Sequence, residues 1–208
     1  MKAVVDRLKP AGREVGDERP DLFSSAFGDL GVDASMLVPW QTRAQEIGAS
    51  QLPSVQGIEL LQSLWRRDKY MGRLDPAAVR QLEGFFSFAA VGPGIDLIRQ
   101  DEYGNFMIVL LQGSIAVDRL QPWGEQMRMA EARPGDILGE MSLLDSGARF
   151  AHCTTLTDSM IGVLDVGAMD RMMASAPELA GSLVALLARK LSLRLRVVGA
   201  RVSDRQNP

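Results

Sequence analysis

The chain has 208 residues, of which 46% are hydrophobic and 24% charged, and its formal net charge is −3. This balance predicts one compact domain with an extension, and it gives no general electrostatic reason to bind nucleic acid. The single cysteine, Cys153, excludes an internal disulfide. No apolar stretch reaches the length of a membrane span, and residues 1–19 are too charged for a signal peptide, so we expect a cytoplasmic protein.

The first 74 residues form two segments. Residues 1–53 mix Gly, Pro, Asp and Arg with few periodic apolar positions, which predicts an N-terminal extension that is partly flexible and docked rather than wholly disordered. Residues 54–74 comprise an amphipathic helix over 54–70 and a connection. The apolar positions of this helix are Ile58, Leu61, Leu64 and Trp65.

Residues 75–175 contain short strands separated by turn residues. A short helix precedes them, with Asp75 as its cap, Pro76 as its first residue and Phe85 at its end. Alternating or short apolar runs bounded by Gly, Pro and Asp then predict strands. These predicted strands span 95–99, 105–112, 114–119, 126–130, 137–138, 151–156 and 160–166. Their number and spacing predict a mainly β fold with flanking helices, an antiparallel β jelly roll.

The loop from Gly139 to Arg149 carries the residues with the clearest chemistry. The planar guanidinium of Arg149 matches two oxygens of one phosphate and stays charged at physiological pH. Glu140 lies in a stretch able to form a helical turn, and its carboxylate accepts hydrogen bonds, which suits a sugar hydroxyl. Glycine at 139 lets a ligand approach the backbone closely. These residues predict a pocket for a small phosphate-bearing ring.

A simpler interpretation of this loop stays open. Glu140 is then an N-terminal helix acid, Arg149 is its salt-bridge partner, and the loop only connects two strands.

A long helix is predicted from Pro177 to about Ser203, because proline favours the first helical turn. One apolar row has the spacing of a dimeric coiled coil, and a second could pack on the barrel. The first row is Ala180, Val184, Leu187, Leu191, Leu195, Val198 and Val202; the second is Leu179, Leu183, Leu186, Leu193 and Val197. We predict a homodimer, and the alternative is that the whole stripe is the core of a monomer.

Residues 75–203 resemble the cyclic-nucleotide-binding domain of catabolite activator protein, kinase regulatory subunits and gated channels. The resemblance is carried by Gly94, the stretch 105–113, the Gly-Asp-Ile-Leu-Gly-Glu of 135–140, and Leu143-Leu144 with 148–151. It implies that Glu140 binds the ribose 2′-hydroxyl and Arg149 the cyclic phosphate. It also implies that the long helix both dimerises and covers the ligand.

The loop departs from the family pattern beside the arginine. Phe150 replaces the serine or threonine that many members carry, so one hydrogen bond worth about 1 kcal/mol is missing and the preference for guanine is weakened. Ala148 replaces the usual proline, which leaves the loop less stiff. We predict that Gly139, Glu140, Met141, Ser142, Ala148, Arg149, Phe150 and Arg194 bind the ligand.

The predicted ligand is cyclic AMP first and cyclic GMP second, with no metal cofactor. If the long helix aligns as in the family, Arg194 falls near the base; the alternative is a solvated charge near a helix C-terminus. A ligand-free scaffold for a protein partner is the second hypothesis. A cupin-type enzyme is disfavoured because a catalytic metal needs several histidines and His152 stands alone. We expect no DNA contact from this chain, because the sequence ends soon after the long helix without helix-turn-helix residues.

Overall fold

The computed structural model describes residues 21–69 and 71–205, with side chains described as far as Val197. The strands are β1 Ser50–Gln51, β2 Ser87–Val91, β3 Asp96–Ile98, β4 Phe106–Gln112, β5 Ile115–Leu120, β6 Gln126–Ala132, β7 Ile137–Leu138, β8 His152–Thr155 and β9 Ser159–Asp165. The helices are α1 Leu22–Asp29, α2 Trp40–Glu46, α3 Ser54–Trp65, α4 Pro76–Arg80, α5 Glu140–Asp145, α6 Val166–Ser175 and α7 Pro177–Arg205.

The strands form two sheets, with the orders β1-β2-β9-β4-β7 and β3-β8-β5-β6. Every pairing within them is antiparallel. The predicted jelly roll with a long C-terminal helix is therefore confirmed. Each sheet lies with one face toward the other, so a shared apolar layer fills the space between them.

Strand β4 contributes side chains to two apolar clusters, one on each of its faces. Its residues are apolar without interruption from Phe106 to Leu111, and all of them are buried. Because successive side chains point to opposite faces, Phe106, Ile108 and Leu110 pack between the sheets. Met107 and Val109 pack under the helices. A continuous apolar run is typical of such a strand buried on both faces.

A helical layer covers the outer face of the five-stranded sheet. Buried side chains of α1, α3, α6 and α7 share one apolar cluster with that face of the sheet. Asp165 caps α6 by accepting a hydrogen bond from the Ala168 amide at 2.7 Å. No helix in the described part of the chain is both long and apolar enough to cross a membrane.

Several predicted bounds need correction. The sequence prediction missed β1 and β2, and β1 falls within the predicted 1–53 extension. Helix α3 ends at Trp65 instead of continuing to residue 70. The predicted cap Asp75 does accept a hydrogen bond from the Ala77 amide at 2.8 Å, but α4 ends at Arg80 and a 3-10 turn follows.

Strand β5 departs from simple alternation. Asp118 is a charged residue of this strand, yet its side chain is buried and pairs with Arg128 of the neighbouring strand β6. Burial of a carboxylate requires such a partner.

Helix α7 does not divide into a dimer row and a barrel row. Both rows are buried in the single chain as far as Leu187, whereas Leu193, Leu195 and Val197 beyond it are 50%, 73% and 52% exposed. The first half of α7 is therefore part of the core, and the second half exposes apolar side chains. Residues 1–20 of the predicted extension, the tail after 205 and the side chains of Val198 and Val202 lie outside the described residues.

Candidate functional site

The loop predicted to carry the chemistry forms a short helix between two left-handed residues. Gly139 precedes α5 with φ 74°, and Ser146 follows it with φ 55°. Glycine is needed at 139 for this φ and also for space, because a Cβ there would lie 2.5 Å from Arg149 Nη1. The space beside Gly139 is therefore filled by the arginine rather than held open for a ligand.

Arg149 is buried and bonded to the protein backbone. Its side chain is 3% exposed, with Nη1 donating to the Gly139 carbonyl at 2.9 Å and Nη2 to the Phe106 carbonyl at 2.8 Å. The guanidinium carbon lies 4.5 Å from the centroid of the Phe106 ring, a cation–π distance. Burial lowers the pKa of Arg149 to about 10, so the group stays cationic at neutral pH.

Glu140 is also 3% exposed and forms an ion pair with Arg194 of α7. Burial raises the pKa of Glu140 above its ordinary value, and the nearby Arg194 opposes that shift. The alternative ion pair between Glu140 and Arg149, which the sequence left open, is not among the salt bridges of the described residues. The acid and the arginine of the loop thus have separate partners.

Arg194 of α7 contacts both the loop and strand β7. Besides pairing with Glu140, it donates from Nη2 to the Ile137 carbonyl at 2.8 Å. One turn earlier on α7, Lys190 donates to the Gly135 carbonyl at 2.9 Å. Two cations therefore fasten α7 to the segment that leads into the loop. The interpretation of Arg194 as a merely solvated charge is wrong.

A pocket of about 80 Å³ lies between the loop, the four-stranded sheet and Arg194. Its lining is Ile98, Val117, Leu138, Gly139, Glu140, Met141, Ser142, Arg149, Phe150, Ala151, Cys153 and Arg194. Seven of the eight residues predicted to bind a ligand therefore converge there, and the exposed Ala148 does not. The volume is below the roughly 300 Å³ at which drug-sized ligand pockets begin.

Phe150 lines the pocket and contacts Arg119 of β5. The ring is 47% exposed, and the Arg119 guanidinium carbon lies 4.0 Å from its centroid. Arg119 Nη1 also donates to the Phe150 carbonyl at 2.5 Å. The residue that replaces the family hydroxyl is thus held by a cation rather than left loose.

The cysteine and the histidine of the chain lie next to each other on β8. Cys153 is buried, and burial raises the pKa of its thiol to about 12. His152 accepts a hydrogen bond from the Gln100 amide through Nδ1 at 3.4 Å. Among the described residues there is no group of three His, Cys, Asp or Glu side chains placed to hold a metal.

The sequence prediction missed residues that shape the site from outside the loop. Phe106 supplies both a carbonyl and a ring to Arg149, and a Cβ at Gly104 would lie 2.5 Å from Arg149 Nη2. Ile98 and Val117 line the pocket floor. Glycine at 104 just before an apolar strand was the one local signal of a close approach.

Comparison with known proteins supports the likeness. The family model described as the cyclic nucleotide-binding domain matches residues 90–176. Over 118 residues, or 57% of this chain, the sequence is 26% identical to the CRP-like cAMP-activated global transcriptional regulator of Mycobacterium tuberculosis, covering 53% of that protein. It is 29% identical over 118 residues to the cyclic AMP receptor protein of Thermus thermophilus, covering 55% of that protein. The chain thus spans about half the length of the curated relatives it matches.

The fold has a close structural counterpart. A cyclic nucleotide-binding domain from Methylobacillus flagellatus KT superimposes with a TM-score of 0.70 over 76% of this chain and 89% of that one. At 23% identity this likeness shows the fold alone. The resemblance predicted from the sequence is therefore confirmed over residues 90–176, which match the model of the cyclic nucleotide-binding domain.

Proposed function

We propose that this protein is a cyclic-nucleotide sensor that binds cyclic AMP, with cyclic GMP as the second choice, and passes the signal through α7. The observation that carries the proposal is the convergence of Glu140 and Arg149, both buried, on one pocket in the segment that matches the family. Two relatives carry cyclic AMP in their names, which favours that nucleotide. By name one relative is a transcriptional regulator and the other a receptor protein, in agreement with a role without catalysis.

The two side chains offer complementary chemistry to such a ligand. Arg149 presents a fixed cation to the cyclic phosphate, and the free amides at the start of α5 add donors. Glu140 presents an acceptor to the ribose hydroxyl. Gly139, Met141, Ser142 and Phe150 enclose the same space. No metal is needed for this recognition, because every contact is a hydrogen bond or a charge.

Ligand binding and the position of α7 are coupled through Glu140. Arg194 pairs with this carboxylate, and Lys190 donates a hydrogen bond to the Gly135 carbonyl. A ribose that bonds to Glu140 competes with Arg194, and the pocket must also widen to admit the ring. The bound state therefore favours a displaced α7. The ligand shifts the equilibrium between the two positions of α7 by the difference in its binding free energy for them. The contact of Arg194 with a bound base, predicted from the sequence, is the alternative in which Arg194 moves from Glu140 onto the base.

The exposed end of α7 supports a homodimer. Leu193, Leu195 and Val197 are each at least half exposed near the end of α7. Leu193 and Val197 lie four positions apart and share one helix face, which could pack against a second copy. Movement of α7 would then change the geometry of the dimer.

A ligand-free scaffold is the second candidate. It is favoured by the small pocket and by the fact that Arg149 and Arg194 already have protein partners. In that case the domain keeps the family fold and binds a partner protein only.

Isothermal titration with cyclic AMP and cyclic GMP distinguishes the two candidates. We expect binding to the wild type and a loss of about 2–5 kcal/mol in Arg149→Ala, the usual penalty for removing one partner of a buried charge contact. Because Arg149 also bonds two carbonyls, melting must be measured alongside, with Arg149→Lys as the milder change. Arg171→Ala, which removes an exposed arginine of α6, is the matched control. Absence of heat with the wild type at high nucleotide concentration would favour the scaffold.

A further inference from the structure

A second charged cluster lies behind the pocket, and none of its members lines the pocket. It consists of Arg43 and Glu46 of α2 with Arg99 and Glu102 between β3 and β4, and is called the Arg43 cluster here. Arg43 is 1% exposed and lies between the two carboxylates, at 2.7 Å from Glu46 and in direct contact with Glu102. Its Nε has no hydrogen-bond partner among the described residues. The two carboxylates therefore fix where this side chain lies.

Glu102 connects the cluster to the backbone of Arg149. The Glu102 carbonyl accepts a hydrogen bond from the Arg149 amide at 2.8 Å, and the Asp101 amide donates to the Arg149 carbonyl at 2.9 Å. Asp101 adopts a φ of 66°, which is uncommon for a residue other than glycine. A strained residue of this kind persists only where its surroundings hold it. Arg43 supplies such a restraint through the Glu102 side chain.

Trp40 connects α2 to the guanidinium of Arg149. The Trp40 ring packs edge-on against the Phe106 ring at a centroid distance of 5.6 Å, and the Arg149 guanidinium carbon lies 4.5 Å from the centroid of the same Phe106 ring. Phe106 also supplies the carbonyl that holds Arg149 Nη2. Trp40 is 6% exposed, so it packs Phe106 against the inner core. Without it the Phe106 ring would lose the neighbour that fixes its orientation.

We propose that Trp40 and Arg43 are positioning residues for Arg149, so that the N-terminal segment 37–46 sets the affinity of the phosphate site without touching the ligand. The inference rests on the proposed function, because it concerns the same pocket. It adds an element outside the segment that matches the family, which begins at residue 90. The backbone bond from Val38 to the Tyr103 carbonyl at 2.8 Å keeps this segment against residues 101–106.

The inference explains why a buried cation is placed far from the pocket. A buried ion pair contributes little to stability compared with apolar packing, but it holds its partners in one geometry. Arg43 holds Glu102, Glu102 holds the Arg149 backbone, and Trp40 with Phe106 holds the Arg149 side chain. Both ends of the same residue are therefore restrained from α2.

The test is calorimetric titration of the full chain with cyclic AMP at fixed salt, in single and double variants. Arg43→Met should weaken binding at least about tenfold, and Arg43→Lys, which keeps the charge but not the fork, should recover part of the loss. Arg171→Met is the control, because this arginine of α6 is exposed and lies outside the cluster. It should change affinity less than about twofold, as exposed charges usually do.

The decisive comparison repeats Arg43→Met in the Arg149→Lys background. If Arg43 acts through Arg149, adding Arg43→Met to Arg149→Lys should weaken binding by less than about a further twofold. If instead the double variant loses the product of the two single losses, the inference is overturned and Arg43 is a structural residue. Trp40→Phe should show the same non-additivity, and it covers the case in which Arg43→Met unfolds. If the wild type binds cyclic AMP, Arg149→Ala does not, and Arg43→Met leaves the affinity unchanged, the inference is overturned but the proposed function is not. A wild type that does not bind overturns the proposed function as well.

Discussion

Replacing Arg194 by alanine separates the closed pocket from a contact with the base. The substitution removes the ion pair to buried Glu140 and the 2.8 Å hydrogen bond to the Ile137 carbonyl. A hydrogen bond to a charged group contributes about 1.5–3 kcal/mol. Arg194 is 47% exposed, so solvent screens its contribution, and we expect a loss of about 1–2 kcal/mol in the free energy of unfolding.

The same substitution should tighten nucleotide binding. In the wild type a ligand must displace Arg194 from Glu140, whereas in Arg194→Ala the carboxylate is free and the pocket is open. If the whole 1–2 kcal/mol is returned to binding, affinity for cyclic AMP rises about 5- to 30-fold. Titration calorimetry measures this directly. Arg196→Ala, an exposed arginine on the same helix, is the control and should change neither quantity.

The pH dependence of stability provides an independent check on this variant. Arg194 opposes the rise that burial causes in the pKa of Glu140, so its removal raises that pKa further. A raised carboxyl pKa gives stability that is present at low pH and lost as pH rises through it. The stability deficit of Arg194→Ala should therefore be largest at neutral pH and shrink as the pH falls toward about 4. A stability deficit that does not change with pH would refute the explanation that Arg194 closes the pocket. Weaker nucleotide binding by the variant would also refute it and would place Arg194 on the base.

Three further predictions concern the loop and its neighbours. Gly139→Ala should lower the free energy of unfolding by about 2 kcal/mol in urea titrations, because of the positive φ and the clash with Arg149; a loss below 0.5 kcal/mol, taken roughly as the range of an ordinary surface change, would contradict the geometry. Phe150→Ser should strengthen cyclic AMP binding about fivefold by restoring a hydroxyl worth about 1 kcal/mol, and unchanged affinity would show that the side chain at position 150 does not reach the phosphate. Cys153, with its pKa raised to about 12, should react with a thiol reagent at least about 100-fold more slowly in the folded protein than in urea, and equal rates would mean that it is exposed.

The sequence predicted most of the β structure because its signal is local. The apolar run of β4 and the turn residues around β5 and β6 mark strands without knowledge of their neighbours. Strand β2 was missed because its run Ser-Phe-Ala-Ala-Val follows directly on a helical segment and its two alanines do not favour a strand. The pairing of β1 with β2 brings together segments far apart in the chain, which no local pattern shows.

Helix α7 shows the limit of periodicity. Its apolar positions were predicted correctly as a wide stripe, but the stripe does not tell which neighbour covers each part. In the structure both rows are covered by the same chain up to Leu187. Beyond Leu187 the apolar pattern continues, but the chain no longer covers side chains such as Leu193 and Leu195.

The candidate site was predictable where its residues share one loop. Glu140 and Arg149 flank a single short helix, so their common pocket followed from sequence neighbours and from the family likeness. The partners of the site could not be predicted in this way. Arg194 pairs with Glu140 across 54 positions, and Arg43 with Glu102 across 59. Such pairs depend on how helices pack, which is decided by the apolar core and not by the charges themselves.

The most direct test of the central claim is a crystal structure of the protein saturated with cyclic AMP. The account predicts the phosphate on Arg149, the ribose hydroxyl on Glu140, and Arg194 withdrawn from that carboxylate with α7 displaced. A nucleotide bound elsewhere, or an unchanged ion pair between Arg194 and Glu140 with the pocket still near 80 Å³, would contradict it.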